Sequence, residues 1–104
     1  MLTDQQIKEA IITIVQKFCP LATLILFGSR AKKTNQPNSD FDLVIKENKK
    51  IARPLYFKLK DQIEALATLK TIELLDYYDL NENFRRIITK EGIIWYGKSI
   101  NAAN

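Results

Sequence analysis

Apolar residues recur at helical spacing through the first part of the chain. Ile7, Ile11, Ile14, Val15 and Phe18 fall on one side of a 3.6-residue repeat. Thr3, with Gln6 three positions later, forms a capping-box start just before that stripe, and Cys19-Pro20 ends it. The spacing then changes. Ala22 to Phe27 is a short, continuous apolar run that predicts a buried strand, and Asp40 to Ile45 (DFDLVI) predicts a second one. Gly28-Ser29, a short basic turn from Arg30 to Lys33, and the loop TNQPNS separate the two. After the loop KENKK, Pro54 suits the first turn of a helix that carries Leu55, Leu59, Ile63 and Leu66 on one side. Thr71 to Asp76 (TIELLD) predicts a third strand. Asn81 is a cap for a helix holding Phe84, Ile87 and Ile88, with Gly92 as its stop. Ile93 to Tyr96 predicts a short last strand, and Lys98 to Asn104 a frayed tail. The order α-β-β-α-β-α-β predicts an α/β (α+β) unit, with a small mixed sheet of about four strands flanked by helices.

Composition narrows the picture. At 104 residues the chain has room for one domain, spanning 1–104, and one modest core. Its 46% hydrophobic and 27% charged content is that of a globular protein rather than a disordered one. No apolar run approaches membrane-spanning length, and the N-terminus MLTDQQIKEA lacks the basic and apolar regions of a signal peptide. Cys19 is the sole cysteine, so no internal disulfide forms; a cytoplasmic location without membrane association is the expectation. There is no histidine. Ser-His and Cys-His nucleophile schemes and histidine zinc sites are thereby excluded. The net charge of +4 is concentrated in residues 46 to 60, which carry six Lys/Arg against one Glu. That stretch reads as a solvated loop and helix face, or as a surface for polyphosphate, nucleic acid or an acidic protein.

The chemistry lies in GSRAKKTNQPNSDFDLVI. A Gly-Ser turn directly after a buried strand is suited to cradling phosphate. Asp40 and Asp42 stand two residues apart on a strand, so their side chains share a face. Carboxylates held that close repel unless a cation or proton lies between them, and Mg²⁺ favours a few carboxylates together with substrate phosphates. A third acidic ligand for a two-ion site is sought on a neighbouring strand. In TIELLD, alternation puts Glu73 on the face opposite Asp76. Glu73 is favoured, because an unpaired charge between apolar neighbours is costly unless it faces a metal, whereas Asp76 sits where turn capping is common. Trp95, Tyr96, Tyr77, Tyr78 and Phe57 are candidates for nucleotide stacking or a partner interface; core packing is the preferred reading for Phe57 and Trp95.

Gly-Ser, a spacer and an acidic-x-acidic strand together resemble the signature of the DNA polymerase β-like nucleotidyltransferase superfamily. The small size resembles its minimal nucleotidyltransferases, and the ending FRRIITKEGIIWYG resembles their closing helix and strand. The ten residues between Ser29 and Asp40 match the branch that acts as antitoxin to HEPN-domain toxins. The resemblance implies a polymerase β-like fold and transfer of AMP from ATP to a tyrosine of an all-helical HEPN-domain RNase partner in a hetero-oligomer. It also implies that Gly28, Ser29 and Arg30 bind the triphosphate, with Lys32 or Lys33 as lesser contributors. Asp40 and Asp42 would hold Mg²⁺, and with Glu73 a second Mg²⁺ that activates the incoming hydroxyl. In this family the third acid is usually Asp, so Glu73 is a departure, its carboxylate reaching one methylene further. Three other readings stay open: an antitoxin that works by binding alone, and nucleotidyl transfer to a small molecule or to an RNA end. The lack of a substrate domain weighs against the last two, and direct nucleic-acid binding ranks below a protein partner.

Overall fold

The structure is a computed structural model and describes residues 2–66 and 68–98. Helix α1 (Asp4–Phe18) leads into strand β1 (Thr23–Phe27), a single helical turn α2 (Ser29–Lys32) and strand β2 (Phe41–Lys46). Helix α3 (Arg53–Glu64) and strand β3 (Ile72–Asp76) follow, then a 3₁₀ turn at Tyr77–Asp79, helix α4 (Glu82–Glu91) and strand β4 (Ile93–Tyr96). The expected tail falls on residues 99–104, outside the described part, apart from Lys98.

The four strands form one mixed sheet in the order β3-β2-β1-β4. β1 is antiparallel to both β2 and β4, while β2 and β3 run parallel, joined by the α3 crossover. Both sheet faces are covered, so the central strands read as nearly unbroken apolar runs. On one face, Leu24, Leu26, Phe41, Leu43, Ile45, Ile72 and Leu74 pack against Ile7, Ile11 and Val15 of α1 and Tyr56, Leu59 and Ile63 of α3. On the other, Ile25 and Val44 meet Ile88 of α4, with Phe27, Leu75 and Phe84 around them.

Local chemistry explains the boundaries. Thr3 caps α1 through both halves of a capping box: Gln6 N donates to Thr3 Oγ1 at 3.2 Å and Thr3 N to Gln6 Oε1 at 2.9 Å. Pro54 sits in the first turn of α3, where its missing N–H costs nothing. Asn81 caps α4 by accepting from Phe84 N at 2.8 Å. Two sequence expectations need correction, for Asp40 and Ile87, while Gly92 stops α4 as expected. Asp40 lies one residue before β2 rather than within it. Gly92 ends α4 with an ordinary negative φ of -69°; its lack of a side chain matters because a Cβ would lie 2.5 Å from Ile25 Cγ2. Ile87, expected on the apolar side of α4, is half exposed, whereas Ile88 is buried and Phe84 packs beside it. Among the described residues, no helix is long and apolar enough to cross a membrane.

Candidate active site

The site begins where β1 stops. Gly28 adopts φ 76°, ψ -156°, a region open essentially only to glycine. A Cβ there would lie 2.5 Å from Asp42 Oδ2, so the missing side chain makes room for that carboxylate. The chain then turns at once into α2. The amides of Ala31 and Lys32 donate to Gly28 O at 3.1 and 3.2 Å, and Thr34 N closes back on Ser29 O at 2.9 Å. No side chain caps this turn. Lys33, left-handed at φ 59°, ends it.

Register brings the acids together. Asp42 pairs with Phe27 of β1 on one side and with Glu73 of β3 on the other. Alternation along β2 puts Asp42 on the α4 face with Val44, and Glu73 and Leu75 follow the same face of β3. The Asp42 carboxyl titrates above its ordinary range. Partial burial is the main cause, followed by the charges of Glu73 and Asp40. Three carboxylates are thus close enough to repel. Among the described residues, though, no three acidic, Cys or His groups converge tightly enough to hold an ion as they stand. Carboxylates in mutual repulsion are the donor type that a hard divalent cation takes, and Asp40 and Glu73 are both exposed.

Glu73 and Asp76 part ways. The burial cost expected for Glu73 does not arise, because β3 is an edge strand and Glu73 faces solvent. Its place beside Asp42 comes from the parallel register alone. Asp76 is 2% exposed and is used structurally: Oδ2 accepts from Ile51 N at 3.0 Å and Oδ1 from Tyr78 N at 2.9 Å.

Arg30, expected to bind the triphosphate, is engaged by protein groups. Its guanidinium rests 3.9 Å from the centre of the Phe41 ring, on the sheet face opposite Asp42. The donors are directed to Asp4 and to the carbonyls of Pro37 and Ser39. Lys32 is exposed and pairs with Glu91 at 3.2 Å, tying α2 to the end of α4. The basic stretch is partly neutralised, with Lys50 and Arg53 meeting Asp79 and Lys60 meeting Glu64.

Of the aromatic candidates, Trp95 packs beside Phe41, as expected for a core-facing residue. Phe57 does not: it is 47% exposed, on the outer side of α3 beneath Arg53, because Tyr56 takes the inward position. The hydroxyls of Tyr56, Tyr78 and Tyr96 each donate to a backbone carbonyl. Tyr77 lines a groove of about 480 Å³ with Glu82, Arg85, Arg86, Thr89 and Lys90, for which the sequence carries no motif. The Cys19 thiol is buried and pushed up to about 11, which makes it inert.

The sequence profile of the family described as "Polymerase beta, Nucleotidyltransferase" matches residues 9–101. A protein of Haemophilus influenzae named "Probable protein adenylyltransferase MntA" is 35% identical over 86 residues, covering 79% of this chain and 72% of that protein. Among solved structures, a toxin-antitoxin crystallised with AMP-PNP superimposes with a TM-score of 0.71 at 21% identity, over 88% of this chain and 73% of that one. A tri-AMPylated Shewanella oneidensis HEPN toxin in complex with its MNT antitoxin gives 0.67 at 18% identity, over 90% and 72%. At those identities the likeness is one of fold.

Proposed function

The chain belongs to the polymerase beta nucleotidyltransferase family and is a nucleotidyltransferase; on that premise we propose that it transfers AMP from ATP to a tyrosine hydroxyl of a HEPN-domain partner, as the antitoxin of a toxin-antitoxin pair. The observation that carries the reading is the pairing of Asp42 with Glu73 across β2 and β3, directly beside the space kept clear by Gly28. The relative named as a protein adenylyltransferase and the solved complex containing an AMPylated HEPN toxin support the acceptor class.

In this reading Asp40 and Asp42 hold Mg²⁺, with Glu73 as the third ligand. A metal bound by these carboxylates would supply charge neutralisation for the triphosphate. Gly28 lets the backbone approach the β- and γ-phosphates, and Ser29 donates a hydrogen bond to them. The acceptor oxygen forms a bond to the α-phosphorus as the bond to the pyrophosphate oxygen breaks in line. In the same reading Glu73, which is exposed at the sheet edge, takes the hydroxyl proton. Ser29 acts as a ligand, not as a nucleophile, which suits a chain without histidine.

Incubation of the co-purified complex with α-labelled ATP and Mg²⁺ tests the proposal. The expected outcome is label on the partner, lost in the double substitution Asp40→Asn and Asp42→Asn while the complex persists. A partner that is inhibited yet unlabelled would establish neutralisation by binding alone. Full labelling by the double variant would remove the metal assignment.

A further inference from the structure

The Arg30 side chain is only 8% exposed and lies behind the carboxylates, not among them. Its Nε and Nη2 donate to Ser39 O at 3.1 and 3.0 Å, and Nη2 also reaches Pro37 O at 3.3 Å. Nη1 donates to Asp4 Oδ2 at 3.0 Å, and the planar group lies on the Phe41 ring. Ser39 and Phe41 are the two residues flanking Asp40. Both are therefore fastened to one side chain, and Asp40 is held from either side.

The strut extends further. The second Asp4 oxygen accepts from Lys70 Nζ, two residues before β3 begins. The Arg30–Asp4–Lys70 chain thus connects α2, the end of the spacer and the approach to β3. Those three segments carry Gly28-Ser29, Asp40-Asp42 and Glu73. Between Lys33 and Phe41 there is no helix or strand, only a small turn in which Gln36 and Ser39 bond each other. A loop of Thr, Asn, Pro and Ser does not hold a carboxylate at one place by itself. A rigid, forked guanidinium that binds the carbonyls of Pro37 and Ser39 does, and a lysine ammonium does not reproduce that fork.

We propose that Arg30, anchored by Asp4, is a positioning residue that sets Asp40 against Asp42 for metal binding and nucleotidyl transfer, and is not a phosphate ligand. The inference rests on the reading of Asp40 and Asp42 as metal ligands given above. It is tested on the full chain with its partner, using wild type, Arg30→Met, Arg30→Lys and Asp4→Asn. Mn²⁺ affinity without nucleotide is measured by electron paramagnetic resonance, beside kcat and KM for ATP at saturating metal. Both Arg30 variants should lose about 10- to 100-fold in Mn²⁺ affinity and in kcat, the range seen when groups behind a metal site are removed. KM for ATP should stay within about twofold, because no phosphate contact is lost. Asp4→Asn should move the same two quantities in the same direction by less.

A raised KM with unchanged Mn²⁺ affinity would make Arg30 a phosphate ligand and overturn the proposal. Lowered thermal stability alone, with Mn²⁺ affinity and kcat per folded molecule intact, would overturn it as well. If Arg30→Met does not fold, Arg30→Lys and Asp4→Asn decide by the same criteria. A wild-type chain that neither binds Mn²⁺ nor transfers AMP would instead bring down the reading of the site itself.

Discussion

Gly28 shows how much a single missing Cβ decides. Its backbone conformation is one that costs other residues about 1–3 kcal/mol, and the space it leaves is taken up by Asp42 Oδ2. Gly28→Ala is therefore expected to destabilise the fold by about that amount and, by displacing Asp42, to remove transfer activity and metal binding together. Urea denaturation and Mn²⁺ titration check the two halves, and a variant as stable as wild type would show that the turn tolerates a side chain. The glycine's importance was legible in the Gly-Ser motif, but not its reason, since nothing local says that a carboxylate from another strand fills the gap. Arg30 is the converse case. Its place after Gly-Ser pointed to phosphate, whereas Phe41, Ser39 and Asp4, distant in sequence and close in space, draw it to the other face of the sheet.

Elements defined by local signals were read well. Thr3 with Gln6, Pro54 and Asn81 are chemical statements about helix starts, and each start lies where those residues put it. Thr3→Ala removes the acceptor for Gln6 N and is expected to cost about 1 kcal/mol. Thermal unfolding measures this. What periodicity blurred was the facing of individual residues. The α3 stripe of Leu55, Leu59, Ile63 and Leu66 left out Tyr56, which is buried with its hydroxyl on Leu74 O at 2.7 Å and turns Phe57 outward. Ile87 is similarly half exposed, because α4 meets the sheet along a narrow line centred on Ile88.

At the scale of the whole molecule, the site works against the stability of the fold. Asp42 has a carboxyl pKa raised above the ordinary 3.8 by burial and by Glu73 and Asp40. Between that value and the raised one the native state binds more protons than the unfolded chain. Stability from this group is therefore complete at low pH and is lost as pH rises through the raised pKa. Asp42→Asn should abolish transfer yet melt higher than wild type near neutral pH, with the difference shrinking as the pH falls toward 4. Added Mg²⁺ should raise the melting temperature of wild type and not that of the variant. A variant that melts lower than wild type at pH 7 would mean that the three carboxylates are not in conflict.

The chain by itself determined its strands and helices, a nucleotidyltransferase signature and the residue types for its chemistry, because capping, periodicity and the Gly-Ser to Asp-x-Asp spacing act over a few residues. Only the tertiary structure decided which acids meet. The parallel pairing of β2 with β3 across α3 sets Glu73 beside Asp42, buries Asp76 as a turn cap and sends Arg30 behind the site. Those outcomes depend on register and on contacts between segments far apart along the chain, which local patterns do not encode.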